Sequence, residues 1–235
     1  MSGQQHVEQV VAACAALGAA GLGDLVWGHP SVRDSEGRGL WMKAAGYGFD
    51  EIDADRVVLV GWDGKVLEGA GRRHIEYPIH ARVYAARPDV HAVVHTHAPA
   101  LAAFASLGAE LHPLSHDGVP FTHPQLPRLT VVTGSLIATA ELGDALAEAL
   151  GDARGILLPS HGAVTVGPDV ATAVMYAVLL ERACRIELDA KAAGGPQIWT
   201  DAAETALKRE QVWNAAQLGA GFDYLVRAAA RGTAP

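Results

Sequence analysis

Apolar residues recur at helical spacing at Val7, Val10, Val11, Cys14 and Leu17, which predicts a packing helix from Gln4 to about Ala20, closed by Gly18 and Gly21. Short apolar runs then replace that period. Leu25 to Asp34 reads as strand, tight turn and strand, with the turn presenting His29 and Ser31 beside Gly28, where a missing side chain lets a ligand approach the backbone. Gly39 to Lys43 continues as a strand. Val57 to Val60 and Val66 to Leu67 flank Trp62-Asp63-Gly64-Lys65, and Asp-Gly is a strong hairpin signal. His74 to Arg87 forms a helix if Pro78 lies in its first turn, with Pro88-Asp89 as its stop. Val90 to His95 reads as a strand, and Pro99 to Leu107 as a helix. Leu111 to Pro127 is an irregular excursion carrying His112, His116 and His123. After a helix from Thr139 to Leu150, Gly155 to Gly167 reads as two buried strands broken by Pro159-Ser160-His161-Gly162. The longest amphipathic helix, Val170 to about Ala193, ends at Gly194-Gly195-Pro196, and a last helix spans Trp213 to Ala228.

Half of the 235 residues are apolar and 19% are charged, which suits one globular domain over 1–235. The net charge of -8 and the lack of a basic cluster argue against a nucleic-acid partner. No apolar run approaches the roughly 20 residues that cross a bilayer, and Met1 to His6 has no signal-peptide pattern. No membrane partner and a cytoplasmic location are therefore expected. Cys14 and Cys184 sit in Ala-rich amphipathic patterns and read as buried thiols without a chemical role.

The candidate chemistry centres on Val90 to Pro99, where a β-branched run ends in His95-Thr96-His97. In an extended backbone alternate side chains share a face, so His95 and His97 can aim two imidazoles at one point. That spacing is common by chance in a chain with 11 histidines, so the rest of the sequence must decide. His161, beside a glycine at a break between apolar strands, belongs at a sheet end and makes a third ligand. Glu76 lies at a helix entrance, where the helix dipole favours a capping carboxylate.

Glu76, then Ala85-Ala86-Arg87-Pro88-Asp89-Val90, then Ala92-Val93-Val94-His95-Thr96-His97, then Ser160-His161-Gly162 and a long helix follow in an order that resembles the class II aldolase/adducin family from about Val11 to Glu187. The resemblance implies a three-layer α/β/α fold around a mostly antiparallel, mixed sheet. It implies a divalent metal on His95, His97 and His161, and Glu76 as catalytic acid/base. It also implies a homotetramer with active sites near subunit interfaces. Three neutral imidazoles leave an ion its full charge and open positions, as a catalytic site needs. Zn²⁺ is the first choice for one ion per chain, with Mn²⁺, Fe²⁺ and Co²⁺ also compatible with the ligand type.

Sugar-phosphate aldolases of that family hold the phosphate with small hydroxyl and amide residues at three places, which here read Gly28-His29, Ala45-Gly46 and Arg73-His74. The missing hydroxyls point to a small carboxylate or aromatic acid as substrate. Gly71 to His80 resembles members that decarboxylate dihydroxylated aromatic acids such as 3,4-dihydroxyphthalate. His29, Ser31, Arg73, His74 and His80 are the expected substrate contacts. Arg72 and Arg73 either pair a carboxylate or form a solvated basic edge. A second catalytic group is sought among His29, His74, His80, His116 and Tyr47, with His116 and Tyr47 preferred. The expected function is a metal-dependent carbon-carbon lyase, with decarboxylation ahead of aldol cleavage; a non-enzymatic adducin-like module and another metal-enabled reaction on the same fold, such as epimerisation, dehydration or oxygenation, are the other readings.

Overall fold

The computed structural model describes residues 2–232. Helix α1 (Gly3–Ala19) starts at Ser2, whose hydroxyl accepts from the Gln5 amide while the Gln5 side chain accepts from the Ser2 amide. This reciprocal cap satisfies two otherwise unpaired amides at the helix start. Strands β1 (His29–Arg33), β2 (Gly39–Lys43), β3 (Val57–Gly61) and β4 (Val66–Glu68) follow, then helix α2 (Tyr77–Ala86), strand β5 (Ala92–Thr96) and helix α3 (Pro99–Ser106). A short helix α4 (Val119–Thr122) and helix α5 (Ala140–Leu150) lead to the hairpin of β6 (Gly155–Leu158) and β7 (Gly162–Gly167). Helices α6 (Val170–Ala192), α7 (Ala202–Val212) and α8 (Ala215–Ala230) complete the described chain.

The seven strands form one sheet in the order β4-β3-β2-β1-β5-β7-β6. Every pairing between these strands is antiparallel, so the sheet is simpler than the mixed one expected. Strand alternation sorts the core into two halves. Val32, Leu59, Ala92 and Val94 pack against α1, α3, α6 and α8, whereas Leu40, Met42, Val58, Val60, Val93 and Val164 pack against α2 and α5. The expected α/β/α layering is therefore present. His29, Ser31 and His95 share the parity that faces α2, which sets the side of the sheet on which the chemistry lies.

Two stretches differ from expectation. Leu25 to Trp27 is a turn, not a strand, because Leu25 adopts a left-handed conformation (φ 46°) and the Trp27 amide turns back to the Asp24 carbonyl. His29 and Ser31 lie within β1, opposite His95 and Val93, and not in a turn. Pro30 invites the turn reading, but the pairing with β2 begins only at Ser31, so the absent amide hydrogen costs no bond there. Helix α7 forms where the sequence predicts none: Thr205 is its one buried residue, and without an apolar stripe the amphipathic period is missing. Its remaining local signal is the Asp201 side chain capping the Glu204 amide. Cys14 and Cys184 are buried free thiols, as expected.

Candidate metal centre

Glu76, His95, His97 and His161 each offer a ligand atom, and these four atoms all lie within 4.8 Å of one another. His95 stands at the penultimate position of β5, and its Nδ1 donates to the Ala163 carbonyl at 3.0 Å, which turns Nε2 toward the cluster. His97, just past the strand end on the same face, directs Nδ1 to Asp24 Oδ2 at 2.6 Å, and its Nε2 lies 2.9 Å from His95 Nε2. A carboxylate behind a ligand imidazole fixes its tautomer and raises its basicity.

His161 arrives from the turn before β7. Ser160 takes a left-handed conformation (φ 58°), and Gly162 passes so close to β5 that a Cβ there would sit 2.2 Å from the Thr96 carbonyl oxygen. This close passage sets the His161 ring 4.9 Å from both the His95 and the His97 rings, centroid to centroid.

Glu76 occupies the N-cap position of α2 but makes no side-chain cap. One carboxylate oxygen accepts from the Ile137 amide at 2.7 Å, and the other lies 3.5 Å from His161 Nε2 and 3.6 Å from His95 Nε2. Burial alone would raise its pKa, but the contacts with His161 and His95 outweigh burial and hold it well below the usual carboxylate range. Burial and the neighbouring His95 lower His97 to about 4, against the pull of Asp24. His161 Nε2 is buried without a hydrogen-bond partner in the protein. A buried polar atom left bare costs free energy unless something fills its valence. Three imidazole nitrogens converging on one point, one of them orphaned, with a carboxylate beside them, fit a divalent cation.

The cluster opens into a cavity of about 390 Å³ lined by Trp27, His29, His74, Ile75, Glu76, His97, Leu136, Ser160 and His161. Trp27, Ile75 and Leu136 are 55%, 59% and 53% exposed, so they form an apolar rim at the mouth. Trp27, His74 and Ile75 also border an adjoining cavity of about 360 Å³ whose other walls include Ala45, Gly46, Arg72 and Arg73. Larger cavities of about 530 and 960 Å³ lie elsewhere and contain no imidazole, so size alone does not locate the chemistry.

The other expected contacts separate. His29 and His74 line the cavity, with ring centroids 4.3 Å apart. The Nε2 of His74 is buried and unpartnered, and burial with the Lys43 charge lowers this ring to about 3. Ser31 and His80 are fully buried behind His29, because alternate residues of β1 face α2, and neither reaches the cavity. Arg73 borders the adjoining cavity, but its guanidinium donates to the Gly64 and His74 carbonyls and lies over the Tyr77 ring. Exposed Arg72 is the cation without a protein partner there among the described residues. Tyr47 packs under the Arg56 guanidinium and lines neither cavity. His116 is exposed on the α6 side of the sheet, with its carbonyl accepting from Trp213, so it is not assembled with Glu76 in this chain.

Two functional positions escaped the sequence reading. Asp24 sits in an aperiodic turn, and nothing in its spacing links it to His97. Lys43 reads as the end of a strand, yet its ammonium is buried and donates to the Val26 carbonyl at 2.9 Å and the Tyr47 carbonyl at 2.6 Å. It thereby ties together the two turns that border the adjoining cavity.

The family model for the class II aldolase and adducin N-terminal domain matches residues 8–188. The chain belongs to this family. Among its class II aldolase relatives, the decarboxylase NovR of Streptomyces niveus is 34% identical over 161 residues, covering 67% of this chain and 58% of the relative, so the chain spans less than two thirds of that protein. The 3,4-dihydroxyphthalate decarboxylase of Arthrobacter keyseri is 30% identical over 203 residues, covering 80% of this chain and 79% of the relative. An L-fuculose 1-phosphate aldolase from Glaciozyma antarctica superposes with a TM-score of 0.82 at 26% identity, covering 97% of this chain and 89% of that one. Other family relatives carry aldolase and epimerase names. No described helix is long and apolar enough to cross a membrane.

Proposed function

We propose that the protein is a metal-dependent carbon-carbon lyase that decarboxylates a dihydroxylated aromatic acid of the 3,4-dihydroxyphthalate kind. The observation that carries this reading is the cavity beside the ligand cluster. Its walls are the flat rings of Trp27, His29 and His74 with the apolar side chains of Ile75 and Leu136, and Ser160 supplies the one hydroxyl side chain among its lining residues. A planar ring fits between such walls. The adjoining cavity has no hydroxyl side chain in its lining, and its cations Arg72 and Arg73 suit a carboxylate as well as a phosphate.

His95, His97 and His161 would hold the ion, with Asp24 fixing the orientation of His97 and Zn²⁺ the first choice. Such an ion would supply positive charge to two neighbouring hydroxyl oxygens and to the negative charge that develops as the carbon-carbon bond breaks. Glu76, held as a carboxylate, takes the proton of the hydroxyl next to the departing carboxylate and delivers it to the ring carbon that bears that group. The carbon-carbon bond then breaks, its electron pair returns to the ring, CO₂ leaves, and the restored aromatic phenolate takes a proton from water. Arg72 is placed to pair a carboxylate that stays on the ring. Trp27, Ile75 and Leu136 exclude water from the developing charge.

The test is CO₂ release from dihydroxyphthalate and dihydroxybenzoate isomers, run beside aldehyde release from fuculose- or ribulose-type phosphates. CO₂ without aldehyde is expected, and aldehyde release with no CO₂ from any aromatic acid overturns the choice. Aldol cleavage of a small hydroxy-carbonyl substrate is the second reading, since the ligand cluster and Glu76 would serve it equally well. The reading includes a homotetramer in the cytoplasm, for which light scattering should give four times the chain mass.

A further inference from the structure

His29 is the cavity-facing end of a hydrogen-bonded chain that runs into the layer between β1 and α2. Its Nδ1 lies 2.7 Å from His80 Nε2, His80 Nδ1 lies 2.7 Å from Ser31 Oγ, and Ser31 Oγ lies 2.9 Å from the Tyr84 hydroxyl. The Tyr84 hydroxyl donates in turn to the Ser31 carbonyl at 3.0 Å, with the His91 carbonyl at 3.4 Å. All four side chains are buried, so no water competes for these bonds.

The direction of the chain follows from its inner end. A carbonyl can only accept, so the one phenolic proton of Tyr84 is committed to the backbone. Ser31 must then donate to the Tyr84 oxygen, His80 must donate from Nδ1 to Ser31, and the bare Nε2 of His80 must accept from His29 Nδ1. The reverse direction would spend the Tyr84 proton on Ser31 and leave the 3.0 Å contact with the carbonyl without a hydrogen. His29 alone among the four lines the cavity, and with Nδ1 committed inward its polar offer to a ligand is Nε2. That nitrogen is not among the four converging ligand atoms.

We propose that Ser31, His80 and Tyr84 act as positioning residues that lock His29 in its Nδ1-protonated tautomer, so that its bare Nε2 selects a substrate hydroxyl and rejects an anionic oxygen at that place. A hydroxyl gives that lone pair a hydrogen bond, whereas a phosphate or carboxylate oxygen meets lone pair with lone pair. This deepens the decarboxylase reading and rests on it for the identity of the hydroxyl, that of a dihydroxylated aromatic acid.

The test uses the full chain, loaded with zinc and labelled with ¹⁵N-histidine, in magic-angle-spinning NMR, with the His29 signals identified by their loss in His29→Asn. His29 should carry its proton on Nδ1, and Tyr84→Phe, which frees Ser31 to turn, should bring in the Nε2-protonated form. Adding 3,4-dihydroxybenzoate should move the His29 Nε2 signal. The dimethoxy analogue should bind about ten-fold more weakly or worse, and Tyr84→Phe should narrow that ratio. An Nε2-protonated His29 in the unaltered protein overturns the proposal, as does an Nε2 signal that bound dihydroxybenzoate leaves unmoved. Either result beside intact CO₂ release breaks the inference and spares the decarboxylase reading. No dihydroxybenzoate binding and no CO₂ release from any aromatic acid defeat that reading and take the hydroxyl assignment with it, although the tautomer stands.

Discussion

The α2 side of the sheet holds two sets of histidines that differ in what their ring nitrogens lack. In the outer set, at the ends of β5 and β7, His95 and His97 each spend Nδ1 on an anchor, and the Nε2 of His161 has no hydrogen-bond partner, with the Glu76 carboxylate 3.5 Å away. In the inner set, between β1 and α2, both nitrogens of His80 and the Nδ1 of His29 are used within the protein. Burial pushes His29 and His80 well below the usual imidazole range, so burial does not distinguish the two sets. Convergence of the unfilled nitrogens does, since His29 Nε2 is also bare but is not among the converging atoms. Imidazoles whose free nitrogens converge form a ligand set, whereas imidazoles that satisfy one another form a scaffold.

The largest effect should separate the sets directly. His161→Ala should drop metal content from about one ion per chain toward none after dialysis, with turnover following, while His80→Gln should keep the ion. Elemental analysis of both proteins decides it, and full retention in His161→Ala breaks the comparison. Next in size, Glu76→Gln should cost roughly 10²-fold or more in kcat with metal content unchanged, since it keeps the shape and removes the proton carrier. Near-normal turnover would reduce Glu76 to its backbone contact with Ile137. Asp24→Asn should then weaken metal affinity by about 10- to 100-fold, read by competition with a chelator, because it removes the charge behind His97. Affinity unchanged in that variant would mean that the 2.6 Å contact does not tune the ligand.

The smallest effect concerns Lys43, which burial lowers to about 8. The unfolded chain keeps this proton up to about 10.5. Between those values the unfolded state binds more protons than the fold, so stability rises with pH through that window. In thermal melts at pH 7.5 and pH 10, the unaltered protein should therefore gain on Lys43→Met at the higher pH. A pH-independent difference would show that the ammonium bears no burial cost.

How much of this was legible depended on whether a residue's role is set by local period. His95 and His97 could be read because a strand repeats every two residues, and His161 because Ser-His-Gly breaks two apolar runs at a sheet end. The layers were expected from the resemblance to the class II aldolase family, and strand alternation accounts for them in the fold. Glu76 was legible as a helix entrance, but local sequence cannot distinguish a capping carboxylate from one drawn to distant histidines. Ser31 and His80 read as substrate contacts because their residue types are chemical. Their burial depends on the pairing of β1 with β5 and its packing on α2, which only the fold supplies. Between Arg72 and Arg73 the choice fell on the arginine that the fold spends on carbonyls, since adjacent residues in an extended segment point opposite ways.

The passage of Gly162 against the Thr96 carbonyl also sets an order of events in time. The ligands it unites come from distant parts of the chain, and they meet only once β5 has found β7, a non-local pairing that pays its loop-closure entropy before any contact repays it. The nascent chain therefore exposes His95-Thr96-His97 long before His161 exists beside it. An ion captured then would have two ligands and be held loosely. A divalent ion would therefore meet all three imidazoles together only once β5 and β7 are paired in the folded chain.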